Sequence, residues 1–202
     1  MNIWGFISSA VVLTLMPGPD ILFVLTQSIS KGKKAGIIFA CGLCTGLIFH
    51  ILAVSFGVSI LIKESPAAFL ILKICGAAYL IYLGIKAFVN RNKESLRLNT
   101  DNIRIRQLYG RGILMNLLNP KVILFFLAFF PHFIDTNLQH PEVQMCFLGL
   151  LFMIQAFIIF SLVAILADKL SEKIMQNPRV SFWISIIESA IFCIIGISLL
   201  FT

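Results

Sequence analysis

Long apolar runs separated by short polar connections set the pattern of this chain. The runs extend from Ile3 to about Thr26, Ile37 to Ile62, Ala67 to Val89, Gly112 to Ile134, Met145 to Ala167 and Phe182 to Phe201. Roughly 20 helical residues cross the hydrocarbon of a bilayer, so every run is long enough to span it. The pattern predicts an all-α integral membrane protein of six transmembrane helices, with residues 1–202 forming one transmembrane domain.

Composition agrees. The 202 residues are 59% hydrophobic and only 12% charged, with a mean hydropathy of +0.97, whereas about a quarter of a soluble domain is charged. A soluble fold of this length could not hide so many apolar side chains and still cover its surface with polar ones.

The net charge of +7 gains meaning from its distribution. Lys31, Lys33 and Lys34 follow the first run, and Arg91, Lys93, Arg97, Arg104, Arg106 and Arg111 follow the third. Lys169, Lys173 and Arg179 follow the fifth, while the connections after the second and fourth hold Lys63 alone. Basic loops stay in the cytoplasm, which predicts that both termini lie outside. No basic stripe is interleaved with exposed aromatics, so nucleic acid is not an expected partner. The first run lacks a basic leader and a small-residue cleavage site, and it is expected to remain as a helix.

Three runs, a long basic connection and three more runs divide the chain into halves at 1–90 and 112–202, with 91–111 as a cytoplasmic linker. An odd number of crossings in each half gives the halves opposite orientation, the inverted repeat of many secondary transporters.

Two of the runs contain helix-incompatible sequence. The first holds Pro17-Gly18-Pro19-Asp20 and the fourth holds Asn119-Pro120-Lys121, with Pro131 beyond. Proline removes a backbone N–H and clashes with the preceding turn, and non-helical backbone at membrane depth survives only when packed in protein or lining a cavity. At 1.5 Å per residue the first break lies roughly 21 Å from the outer start of its helix, and the second roughly 10 Å from its inner start. Both therefore fall on the cytoplasmic side of the midplane and are placed to face each other. Each carries a charge, Asp20 or Lys121. A zwitterionic amino acid would offer its ammonium to Asp20 and its carboxylate to Asn119, Lys121 and the half-helix amides. The alternative is structural, with Asp20 capping its half-helix and pairing with Lys121.

Other polar residues suggest less. Lys73 can snorkel to the interface, and His50 and His132 lack companions at metal-ligand spacing, so packing or hydrogen bonding is expected of them. Cys41 and Cys44 form a C-x-x-C inside an apolar run, overlapping glycines at helix-packing spacing. That glycine face could pack within the bundle or against a second copy, which leaves a homo-oligomer open. No phosphate-binding loop of the G-x-x-x-x-G-K-[ST] kind is present, so an ion or substrate gradient, rather than ATP, is the expected energy source.

The run L-M-P-G-P-D ending at Asp20, the turn S-K-G-K-K-A-G, the stretch L-K-I-C-G-A-A-Y-L-I-Y-L-G and G-I-L-M-N-L-L-N-P-K-V-I-L-F-F-L-A-F-F-P-H-F together resemble the LysE/RhtB amino-acid exporters. The resemblance covers essentially the whole chain. It implies a bacterial inner-membrane secondary exporter of amino acids or close derivatives, driven by proton antiport, with no enzyme activity, metal or cofactor. It carries a translocation role onto Pro17, Gly18, Pro19 and Asp20, and onto Asn119, Pro120 and Lys121. Where many relatives have an acidic residue in helix five, this chain reads Ile154-Gln155-Ala156, and Glu188 stands near a family glycine in helix six. Glu188 is thus a candidate coupling carboxyl. The competing functions are cation or metal efflux, which wants several converging ligands, and thiol-disulfide electron transfer through Cys41 and Cys44, which wants a second cysteine pair.

Overall fold

The computed structural model describes residues 3–58, 65–90, 104–135, 140–167, 169 and 178–201. Most of the basic linker and the connections holding Lys63 and Lys173 lie outside the described residues. Those described form helices and their connections, with no strand among them.

The first apolar run is two helices, α1 (Ile3–Leu15) and α2 (Pro19–Lys31), bent by 54°. Pro17 cannot continue α1, and Pro19 takes the first-turn position of α2, where its missing N–H costs nothing. Helix α3 (Lys33–Leu52) runs on through a π-helical turn, Ala53–Val58. Helix α4 covers Pro66–Asn90. The fourth run is again broken, into α5 (Ile105–Leu117) and α6 (Pro120–Leu124), with a 47° bend between α5 and the segment reaching Phe133. Beyond α6 the coil widens into a π turn, Phe125–Phe129, and tightens into a 3₁₀ turn, Phe130–Phe133. Helices α7 (Pro141–Ala167) and α8 (Pro178–Phe201) are continuous.

Lys33–Gly57 and Pro141–Ala167 are each long and apolar enough to cross a membrane, and each bent pair would make one further span. Helix α7 shows how such a helix divides its faces. Met145, Leu148, Phe152, Ala156, Phe160 and Ala164 are buried at three- and four-residue steps, while Phe147, Leu150, Ile154, Ile158, Leu162 and Leu166 are exposed. Apolar side chains on both faces fit a helix that meets protein on one side and lipid on the other. Trp4 and Trp183, each near a helix start and strongly exposed, suit the headgroup level that indole rings prefer.

Helix α3 packs most closely against α5, and glycines make that approach possible. A methyl group on Gly42 would overlap the Tyr109 carbonyl, and one on Gly112 would stand 2.5 Å from the Phe39 carbonyl. The glycine face of α3 is therefore consumed inside the chain. The same device joins α4 to α8, where Gly84 meets Cys193 and Gly196 meets Ile81 and the Ala77 carbonyl. Cys44 directs its thiol toward the Met153 carbonyl of α7 at 3.9 Å, a packing contact between helices. Arg111 of α5 lies 4.8 Å over the ring of Phe23 on α2.

Away from the basic end, phenylalanines fill the space between α1, α7 and the π and 3₁₀ turns. Phe6 meets Phe130 and Phe133 edge-on at 5.3 and 5.4 Å, and Phe125 and Phe126 each lie 5.2 Å from Phe152.

Because the Tyr109 carbonyl cannot retreat without disturbing its helix, Gly42→Ala should lower stability by about 1–3 kcal/mol. Gly57→Ala, whose methyl meets nothing within 4 Å, should leave stability unchanged. Thermal unfolding of the detergent-solubilised variants distinguishes the two.

Candidate functional site

Counting back four residues from each proline locates the carbonyls that lose their helical donors. For Pro17 that carbonyl is Leu13, and the chain turns away before Met16 can be served. Lys121 supplies both, its Nζ donating to Leu13 O at 3.2 Å and Met16 O at 3.3 Å. A cation at the carbonyl end of α1 also meets the negative pole of the helix dipole. The lysine comes from the second break, so one broken helix is completed by the other.

The position of Lys121 follows from its neighbours. Asn119 is the N-cap of α6, its Oδ1 accepting the Lys121 backbone N–H at 3.0 Å, and Pro120 occupies the first turn. With its other end, Asn119 Nδ2 donates to the Asp20 carboxylate. Asp20 Oδ2 lies 3.9 Å from Lys121 Nζ, a loose ion pair beside tighter bonds to neutral groups. All three side chains are buried, with 2–3% exposure. Asp20 does not cap α2: the N-cap is Gly18, no side chain bonds there, and the carboxylate faces Asn119 instead. The structural alternative thus keeps its ion pair and loses its cap. Gly18 leaves room for the lysine, since a methyl group there would stand 3.2 Å from Nζ.

For Pro120 the orphaned carbonyl is Asn116. It accepts the Asn119 N–H at 3.0 Å and is met by His50 Nε2 at 3.2 Å. A carbonyl can only accept, so Nε2 carries a proton in this arrangement. The ring of His50 stacks on Phe126 at 6.0 Å. Sequence reasoning set His50 aside for want of metal-ligand partners. The signal that would have pointed to it was the carbonyl four residues before Pro120, which loses its regular helical donor.

Gln155, within the stretch Ile154-Gln155-Ala156, donates from Nε2 to Thr14 Oγ1 at 2.9 Å, tying α7 to α1 beside the first break. Glu188 stands on α8 between the buried Ser185 and Ser189, and its side chain lies outside the described residues. Lys73 is partly buried on α4 and His132 is exposed. Among the described residues no three His, Cys, Asp or Glu groups converge as metal ligands.

Two cavities adjoin the cluster. The larger, about 200 Å³, is lined by Gly18, Pro19, Asn119, Pro120 and Lys121 of the breaks, by Leu83, Lys86 and Ala87 of α4, and by Ser185 and Phe192 of α8. Lys86 lies near the end of α4 that leads into the basic linker, which sets the cavity toward that side. The smaller, about 10 Å³, lies among Leu13, Thr14, Asp20, Asn116, Lys121 and Phe152. Lys121 borders both, so the buried cluster partitions them.

A protein-family model described as LysE type translocator matches residues 11–202. An uncharacterised membrane protein of Pseudomonas aeruginosa is 35% identical over 187 residues, covering 90% of this chain and 82% of its own. Leucine efflux proteins of Salmonella typhimurium and Salmonella typhi are each 36% identical over 145 residues, covering 71% of this chain and 68% of theirs. No solved structure matches.

Removing one partner of a buried ion pair leaves the other uncompensated. Asp20→Leu should therefore destabilise the protein by about 3–5 kcal/mol, and adding Lys121→Met should restore part of that loss. A double-mutant cycle of thermal unfolding in detergent checks the coupling, and strictly additive losses would contradict it.

Proposed function

The chain belongs to the LysE type translocator family and is a membrane transporter rather than an enzyme; from that premise we propose that it exports amino acids by secondary antiport against protons. Leucine and comparable apolar amino acids are the first substrates to test, because the named relatives are leucine efflux proteins. The observation that supports the reading is the convergence of both helix breaks on one 200 Å³ cavity, lined by Gly18, Pro19, Asn119, Pro120 and the buried Lys121, with Asp20 held directly behind Asn119 and Lys121. That volume lies below the roughly 300–1,000 Å³ of drug-sized pockets and suits a small solute.

The cavity offers what such a solute needs. Leu83, Ala87 and Phe192 give an apolar wall, and Lys86, Lys121 and Ser185 give donors for a carboxylate. The substrate ammonium would compete with Lys121 for Asp20, so loading loosens the cation that closes the carbonyl end of α1. Pro17, Gly18, Pro19 and Pro120 serve by keeping those backbone groups out of regular helix. We assign the chain to the bacterial inner membrane as six spans in two inverted halves, counting each bent pair as one span beside α3, α4, α7 and α8. Both termini lie outside in this reading, supported by the basic connections. The cavity then faces the cytoplasm, and the phenylalanine cluster closes the outer side. Glu188 is a second candidate for coupling, as an ionisable residue within an apolar helix.

Cells fed leucine-containing dipeptides should release leucine faster when they express the protein. Asp20→Asn and Lys121→Met, at equal membrane abundance, should return release to the level of cells lacking it. Unchanged release by both variants would remove the binding role. Orientation is tested separately: alkaline phosphatase fused after Thr202 should be active, and fused after Asn90 inactive.

A further inference from the structure

Around the larger cavity, the side chains of the two breaks are already committed. An ammonium has three protons, and Lys121 gives to Leu13 O and Met16 O and stands beside Asp20 with what remains. Drawing it away would leave both carbonyls unserved at membrane depth. Asn119 has its oxygen on the Lys121 backbone N–H and its amide nitrogen on the Asp20 carboxylate. Pro120 has no N–H to give. These side chains therefore have little left for an anion.

The opposite wall differs. Lys86 of α4 and Ser185 of α8 line the same cavity, and neither side chain makes a hydrogen bond or ion pair with another described residue. Lys86 is exposed, while Ser185 is buried with 7% exposure. A hydroxyl buried without a partner costs free energy that a polar ligand would restore. Ammonium and hydroxyl can each donate to a carboxylate oxygen, and the ammonium does so with its charge.

Position along the helices gives this wall a direction. Lys86 stands roughly one turn from the end of α4 that leads into the basic linker, and Ser185 roughly two turns from the start of α8. The two helices are antiparallel, since Gly84 meets Cys193 while Gly196 meets Ala77 and Ile81. Leu83 lies roughly 5 Å back from Lys86, and Phe192 roughly 11 Å beyond Ser185, at 1.5 Å per residue. Both steps lead away from the basic side. The polar pair thus stands at one end of the cavity and the apolar pair at the other, an arrangement that orients a short solute with an acid head and a hydrocarbon tail.

Resting on the export reading above, we infer that Lys86 and Ser185 bind the substrate carboxylate and that Leu83 and Phe192 receive its side chain. Recognition of acid and side chain falls to the α4–α8 pair, and Asp20 is left for the ammonium. Lys86 sets an affinity common to amino acids, whereas Leu83 and Phe192 choose among them. An uncharged amide in place of the carboxylate forfeits the contact with Lys86.

The test follows thermal unfolding of the detergent-solubilised protein as leucine, leucinamide or isocaproate is added at neutral pH, each rise in midpoint giving an apparent Kd. Leucinamide keeps the ammonium without the acid charge, and isocaproate keeps the carboxylate without the ammonium. Lys86→Met should weaken leucine about tenfold to a hundredfold, the worth of a hydrogen bond to a charged group, without weakening leucinamide. Lys86→Arg should recover most of that affinity, and Ser185→Ala should weaken leucine by a smaller factor, with leucinamide again unaffected. Lys169→Met, which removes an exposed cation that lies outside the described cavity walls, should change neither. Leucine affinity kept in Lys86→Met would overturn the proposal, as would equal losses of leucine and leucinamide, which would mean a distorted cavity rather than a missing partner. Isocaproate bound and leucine refused by the unsubstituted protein, with isocaproate lost in Lys86→Met, would sustain the carboxylate site and overturn the amino-acid export reading. Refusal of both ligands would overturn both.

Discussion

Inside a bilayer, a carbonyl that loses its helical donor has no water to turn to. Pro17 and Pro120 each create such a carbonyl, at Leu13 and Asn116, and much of the polar architecture follows from serving them. Lys121 serves the first from the other broken helix, and the Asn119 N–H and His50 share the second. Once the lysine is buried, an anion must stand near it, and Asp20 does so at 3.9 Å. Once Asp20 is buried, it needs a donor, and Asn119 gives one while capping α6. Charge, cap and break are thus successive answers to the same deficit.

The partition that results is firm in some directions and loose in others. Lys121 is held by bonds of 3.2 and 3.3 Å to neutral carbonyls and by a longer approach, 3.9 Å, to the carboxylate. Its ammonium can therefore change anionic partner without leaving the end of α1. Helix packing around it is rigid by contrast, because α3 meets α5 and α4 meets α8 through glycines that leave no slack. A rearrangeable polar centre is thereby set among closely fitted helices.

Much of this was legible in the sequence. Proline positions located both breaks, the depth estimate placed them opposite one another, and Asp20, Asn119 and Lys121 do meet. Periodicity and hydropathy identified the apolar runs, and the runs around the breaks are the bent pairs. The bond partners were less legible. That Asn119 caps α6 with one end and holds Asp20 with the other depends on a bend angle no local pattern encodes. Packing or hydrogen bonding was expected of His50 and it does both, but that its partner is a backbone carbonyl 66 residues away was not legible. The glycine face of α3 was ambiguous between a neighbour in the chain and a second copy, since small residues announce close approach without naming what approaches.

The Lys121 bond to Leu13 spans 108 residues of chain. A ribosome adding about 5–20 residues per second covers that distance in roughly 5–20 s. For that interval the first bent pair exists without the cation that completes it, and its open carbonyls must be solvated by something else. The first helices to be synthesised therefore cannot reach their final form in lipid on their own. Their maturation waits on the second half, and a chain truncated before Lys121 would present the insertion machinery with a permanently incomplete hairpin.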